Sequence, residues 1–592
     1  MLKPPFTTLA SEHVWRTCYR WVEGGHRQEP GIEATWDRVA LAVSAAEPHH
    51  RDEWCRRFRA MLGDFRFLPG SRLLAGAGTV PHAVLASAYV MGPVEDSLQG
   101  IFNALRESML TLQWGGSVGI DFSTLRPAGS RAVRTGGMAS GPVSFMRLWA
   151  QSAAVLETGS PRHGAMMAAL RCDHPDIEAF MSVKHAGETD SRLGLCVLVT
   201  DDFMRAVDEG AEWPLVFPLA GHPIPEGGEV CERRWCGSLT PQLCLVHRRI
   251  PARSLWAQLQ QAEHVSAEPG VLFMDRINRA NNLWYCENLT AASPSGDIPL
   301  PPFGVGITGS INLTRLVQHA FGEHPHLDFG GLRAIASVAT RFLDDVHDIS
   351  AYPLKPQEKA AQASRRIGLG VTGLADTLAM LGLRFGSPAS LDLAREIIAA
   401  VRDTAYSTSI ELAREKGGFP SFDKTKFGAS SFVLDLSLEL QDAIAQHGIR
   451  NSHLLSVESG DTISLLAGNV SQGTEPVAAF RSVRRLPDAH GDMVAFELED
   501  AAYRQYHAVF GTGARLPAHF VEAARVPVDE QLAMLAAVQS GVDNAVHGTV
   551  YLPPEASADD VGDVLRQAWQ LGLKACSARR RDAPGHLAQE PL

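Results

Sequence analysis

Long apolar runs are missing from this chain. No uninterrupted hydrophobic stretch approaches the roughly 18 residues a spanning helix needs, so no membrane partner is expected. The first residues, MLKPPFTTLASEHVWRTCYRW, lack the apolar segment and small-residue cleavage site of a secretory signal, and a cytoplasmic location is expected. Clustered basic residues are scarce as well. With a formal net charge of -12 the chain offers little to displace counterions from a phosphate backbone, so no nucleic-acid partner is expected. The one dense basic run, Arg579-Arg580-Arg581, reads as a solvated tail. The nine cysteines form no CxxC-like pair and fit a reducing compartment. Cys231, Cys236 and Cys244 share a segment with His222 and His247, but the spacing is poor for structural zinc and no metal is expected. Cys172, inside LRCDHPDI, reads as a packed core residue. Rossmann and Walker-A spacings are absent too: GGSVGIDFSTLRP (115–127) and AGAGTVP (75–81) read as turns, and AGAGT has no P-loop lysine. No repeat of roughly 20 to 50 residues is evident, which excludes solenoids and propellers.

What is present is ordinary globular composition, 45% hydrophobic and 20% charged over 592 residues, enough for a large core. Residues 1–66 read as a helical region, with Trp15, Tyr19 and Val22 on one face and Trp36, Val39, Ala40 and Val43 on another. From Phe67 strand-like and helix-like segments alternate. AVLASAYVM (83–91) precedes the helical SLQGIFNALRESMLTLQ (97–113), and GLCVLVT (194–200) precedes DDFMRAV, which predicts parallel βα units across 67–552. Residues 553–592 read as a helix, a short strand and a tail.

Segments spread from Phe67 to Lys574 resemble the adenosylcobalamin-dependent (class II) ribonucleotide reductases. They include FLPGSRLLAGAGT (67–79), YVMGPVEDSLQGIF (89–102), AEPGVLFMDRINRANNLWYCE (267–287), RRIGLGVTGLADTLAMLG (365–382) and TISLLAGNVSQGTEPV (462–477). The resemblance implies that family's ten-stranded α/β barrel, preceded here by the N-terminal helical region. It also implies adenosylcobalamin as cofactor, nucleotides as ligands and a homodimer. In the family a finger-loop cysteine becomes a thiyl radical, and two further cysteines close a disulfide as they reduce the ribose. The aligned finger segment here reads Ser293-Pro294-Ser295-Gly296-Asp297. Ser295 stands at the radical position, and Ser293 and Asp297 stand where the family holds the ribose hydroxyls with Asn and Glu. Ala88 and Gly306 stand at the two reducing positions.

A serine O–H bond is far harder to break homolytically than a thiol S–H, and neither Ala88 nor Gly306 can donate hydrogen. The chain is therefore expected to be a catalytically impaired homologue. The competing expectation is an active reductase with an unrecognised radical site. A glycyl-radical enzyme is disfavoured, because LGLKACSARRRDAPG supplies no convincing motif. Ser71 and the loop Ser459-Gly460-Asp461-Thr462 resemble the family's substrate-binding and phosphate-binding segments, with Glu458 and Asp461 expected to repel phosphate. Asp96, Ser97, Leu98, Arg126 and Arg162 resemble the family's effector site, or else shape the barrel and its dimer face.

Overall fold

The structure, a computed structural model, describes residues 5–23, 26–27, 29–80, 82–131, 137–157, 164–184, 193–488, 491–580 and 590–591. It divides into two compact units, the first comprising Met1–Ala88, Val305–His547 and Leu587–Leu592, the second Tyr89–Gly304 and Gly548–His586. Among the described residues no helix is long and apolar enough to cross a membrane.

In the first unit the helix Leu9–Val14, capped by the Thr8 hydroxyl, runs into a wider π turn, Trp15–Tyr19. Trp15 and Tyr19 are buried as their spacing predicts. Val22 departs from that expectation. The helical path ends at Tyr19, and Val22 opens a two-residue strand with 48% of its surface exposed. The helix Ile32–Val43 does bury Trp36, Val39, Ala40 and Val43 on one face. The strand Val305–Asn312 is buried along its whole length, as a strand covered on both faces must be. It pairs antiparallel with Phe67–Pro69 and parallel with Ile367–Thr372. The long helices Phe329–Ile349 and Pro388–Lys416 both contribute apolar groups to this interior, and Phe329–Ile349 also buries Arg341, Asp344 and Asp345. Asp344, fully buried, accepts from Arg365 Nε at 2.8 Å, Asn451 Nδ2 at 2.9 Å and Arg450 Nε at 3.2 Å.

In the second unit Ser117–Asp121, Met166–Arg171, Leu193–Val199 and Gly270–Phe273 lie side by side in parallel. Ala575–Arg580 joins antiparallel to Gly270–Phe273, and Thr549–Leu552 lies parallel to it. Helices Leu98–Gln113, Gly141–Glu157, Asp201–Glu209 and Ala252–Ser266 alternate with these strands, the βα pattern the sequence predicts. Two expectations are corrected. The stretch 115–127 is not all turn, since Ser117–Asp121 is a strand. Its glycine at 119 serves close approach rather than chain reversal: a Cβ there would lie 2.0 Å from the Ala292 carbonyl oxygen. The basic run near the C-terminus is not all tail either. Ladder pairing of Tyr551 with Arg579 and Leu552 with Arg580 holds both arginines in a strand, and Arg580 Nη1 lies 2.8 Å from His264 Nε2. Arg581 falls outside the described residues. A separate antiparallel sheet orders Glu212–Pro218, Pro241–Pro251 and Val230–Arg234, with Pro241–Pro251 in the middle.

Candidate active-site loop and strand-end cavity

In the second unit the finger segment is a small hairpin. Ala291–Ala292 pairs antiparallel with Pro299–Leu300, and Ser293 N donates to Ile298 O at 3.0 Å. Gly296 N donates to Ser293 O at 2.8 Å, closing the tip, and Gly296 takes a φ of 78° that a side chain would strain. The hairpin's base rests in an apolar cluster that includes Val90, Ala169, Leu198, Leu272 and Ile298. Three polar side chains converge at the tip. Ser293 Oγ donates to Asp297 Oδ1 at 2.8 Å, Ser295 Oγ donates to the same oxygen, and the two hydroxyls are 3.2 Å apart. Ser293 and Asp297 are buried at 3% and 2% exposure, so two of the donors this buried carboxylate needs come from within the loop. The structure thus brings together all three finger positions singled out from sequence.

The other two positions singled out from sequence lie in the first unit. Ala88 and Gly306 are both buried on strands, Ala88–Val90 and Val305–Asn312, and neither carries a hydrogen-bonding or redox-active side chain.

The phosphate-loop positions, also in the first unit, differ electrostatically from the expectation of paired repelling carboxylates. Gly460 has φ 61°, and Asp461 opens the short helix Asp461–Leu466. Asp461 does not stand as a bare charge: Arg484 grips both of its oxygens, with Nη1 donating to Oδ1 at 2.6 Å, and Gln472 Nε2 donates to Oδ1 at 3.0 Å. Glu458 accepts a long bond, 3.4 Å, from Thr308 Oγ1. Beside this loop the Tyr19 hydroxyl donates to Thr462 Oγ1 at 3.1 Å and lies 3.2 Å from Ser71 Oγ. Burial raises the Tyr19 phenol above its ordinary range, with the Ser71 and Thr462 hydroxyls opposing, so it stays neutral. Ser71 and Thr462 are therefore joined through a residue of the N-terminal helical region. Sequence reading passed over Tyr19 in this role, and over Arg484, because both lie far along the chain from the loop.

Of the effector-like positions, Ser97 caps the helix Leu98–Gln113 by accepting from Gly100 N at 3.0 Å. Asp96 accepts from Arg126 Nε at 2.7 Å, and Leu98 is 63% exposed. Arg162 lies outside the described residues.

A polar cavity of about 540 Å³ opens in the second unit, lined by Asp121, Arg171, Thr200, Cys236, Asp275 and Asn278 among others. Asp121 and Arg171 end their strands, and Thr200 and Asp275 follow closely on theirs. The cavity thus sits at the carboxyl ends of four parallel strands, where open α/β sheets commonly place ligands. Burial raises the Asp121 carboxyl, opposed by hydrogen bonds from Cys236 and Ser123, while burial and the Asp121 charge hold the Cys236 thiol well above its usual range. Asp121 lay inside a stretch read as turn, which is why sequence reasoning missed it.

With these sites in place, comparison with known proteins is decisive for kinship. Residues 6–82 match the ribonucleotide reductase all-alpha domain and residues 86–578 the ribonucleotide reductase barrel domain. The chain belongs to the ribonucleotide reductase large-chain family. Over 599 residues it is 35% identical to the vitamin B12-dependent ribonucleoside-diphosphate reductase of Mycobacterium tuberculosis (strain CDC 1551 / Oshkosh), covering 97% of this chain and 79% of that protein. The protein of the same name from Thermoplasma acidophilum is 29% identical over 576 residues, covering 94% and 69%. The ribonucleoside-diphosphate reductase subunit alpha of Chlamydia pneumoniae is 24% identical over 635 residues, covering 98% and 59%. The α/β architecture with an N-terminal helical region is that of this family.

Proposed function

We propose that this reductase-family chain is a homologue of the vitamin B12-dependent ribonucleoside-diphosphate reductases that has lost their thiyl-radical chemistry, while keeping nucleotides as ligands and a homodimeric state. One observation carries the reading. The side chain at the radical position is a serine hydroxyl already committed to the Asp297 carboxylate within a closed hairpin. Ala88 and Gly306 add a second, independent reason, since a reducing dithiol cannot form from them. Cobalamin, when bound, supplies a homolysable bond and hence a radical. The donor set does not fit that chemistry, because the described finger hairpin offers no sulfur to receive the radical.

The purified protein, given adenosylcobalamin, dithiol and each ribonucleoside di- or triphosphate, forms no deoxynucleotide above a no-enzyme control; product above that control would refute the reading. Ser295→Cys alone leaves turnover absent, because the reducing pair is still missing. Turnover in that single variant would mean that reducing equivalents arrive by another path. An absorbance titration with adenosylcobalamin reports binding separately from activity.

A further inference from the structure

The small antiparallel sheet of the second unit contains a cysteine pairing that no sequence motif announces. Cys231, on Val230–Arg234, stands directly opposite Cys244, on Pro241–Pro251, in a register continued by Glu232 against Leu243 and Val230 against Leu245. Val246 N donates to Glu229 O at 2.9 Å, two steps along the same ladder. The alternation of an antiparallel ladder then makes Cys231 and Cys244 a hydrogen-bonded pair, for which the Cα atoms are about 5.5 Å apart. A disulfide requires a Cα separation of about 4.4–6.8 Å, so a bridge needs little backbone movement. Directly opposed residues project to the same face of the sheet. Cys244 is buried with Val216 and Trp235, and Cys231, half-buried, packs against that same cluster. Neither is in a disulfide.

We propose that Cys231 and Cys244 are a redox pair, a cross-strand dithiol that small-molecule disulfides oxidise to a bridge. The Cys231 thiol, reachable from solvent, loses its proton to water, and its sulfur attacks one sulfur of an incoming disulfide such as glutathione disulfide. One glutathione leaves as thiolate and takes up a proton. Cys244 then loses its proton, and its sulfur attacks the Cys231 sulfur of the mixed disulfide, expelling the second glutathione. Two protein thiols are oxidised and one glutathione disulfide is reduced to two thiols, so atoms and electrons balance. The order follows from the surroundings. Burial raises both thiols, Cys244 to about 12, with Arg233 opposing the shift at each, and Cys231, half-buried where Cys244 is buried, is the one an incoming disulfide reaches first. Cys236 packs against the same cluster but lies beyond the paired register, and it lines the strand-end cavity together with Asp121. The bridge has a consequence for that cavity. Arg233 and Arg234 on one strand and Pro241 on the other form part of its wall, and oxidation ties those two strands together. The proposal is independent of the reductase reading.

The test uses the full chain equilibrated in glutathione buffers of rising oxidised fraction, quenched in acid, alkylated under denaturing conditions and mapped by peptide fragmentation. The expected result is loss of two titratable thiols in a single step, with Cys231 joined to Cys244 and Cys236 alkylated. Cys231→Ser, at a half-buried position, abolishes the bridge and leaves Cys244 alkylated. Cys244→Ser instead accumulates glutathione on Cys231. The proposal is overturned if both cysteines remain alkylated in fully oxidised buffer. It is equally overturned if Cys236 replaces either one in the bridge, or if wild-type protein stops at the mixed disulfide.

Discussion

Substituting Asp461 by Asn should have two opposite consequences, and together they test the electrostatics of the phosphate-like loop. Asn keeps the shape and an acceptor but removes the charge that faces Arg484, whose side chain is only 2% exposed while that of Asp461 is 25% exposed. A unit-charge pair about 4 Å apart is worth roughly 4 kcal/mol at an effective dielectric near 20. The quarter exposure of Asp461 screens part of this, so a loss of about 2 kcal/mol in urea unfolding is expected, short of the ~3–5 kcal/mol for breaking a fully buried pair. The same change leaves Arg484 as an uncompensated cation beside Thr462. Affinity for inorganic pyrophosphate, measured by calorimetry, should then rise at least about tenfold, or roughly 1.4 kcal/mol. In the double variant Asp461→Asn/Arg484→Met the gain should vanish. Equal pyrophosphate affinity in wild type and Asp461→Asn would refute the reasoning, because it would mean that Arg484 has no access to an anion whether or not it is paired.

Three further outcomes follow from buried groups. Asp344→Asn should cost about 2–3 kcal/mol at pH 7, short of the ~3–5 kcal/mol for a wholly uncompensated buried charge, since it removes the buried carboxylate between Arg365 and Arg450 while Asp348 still pairs with Arg365. Burial acts to raise Asp344, but Arg365 and Arg450 win and hold it below its ordinary range, so its contribution is present above the unfolded value near ~3.9 and fades as pH falls through the folded one; a wild-type-to-variant gap that stays constant down to acid pH would contradict this. Asp500, pushed well up by burial and by Asp376, keeps its proton in the fold. Its stabilising proton uptake is complete below the unfolded value and is lost as pH rises through the raised one, so Asp500→Asn, which can still cap Tyr503 N, should gain in melting temperature over wild type as pH increases, and a gap independent of pH would count against a protonated Asp500. Gly119→Ala should destabilise by at least about 1–3 kcal/mol through its clash with the Ala292 carbonyl, and an unchanged urea midpoint would show that the finger hairpin yields freely.

Local period carried much of the fold. The face Trp36, Val39, Ala40, Val43 and the strand Leu193–Val199 with its following helix are legible because burial repeats at 3.6 or because both faces of a strand are covered. Legibility fails where a residue's role is set by something distant. Gly119 looks like turn chemistry until Ala292 arrives against it. Asp461 looks like a repelling charge until Arg484, on the distant strand Arg481–Pro487, neutralises it. Cys231 and Cys244 look like a failed zinc motif until the register of two strands sets them face to face. The finger hairpin combines both cases, for its positions could be read in line while their mutual fit could not. Ser293, Ser295 and Asp297 bond to one another: two hydroxyl donors converge on one oxygen of a buried carboxylate. A cysteine at 295 would exchange a good O–H donor for a weak S–H one and leave Asp297 with a poorer partner. The side chains at the tip are therefore mutually dependent, and Ser295→Cys would alter the bonds to Asp297 as well as introduce a thiol.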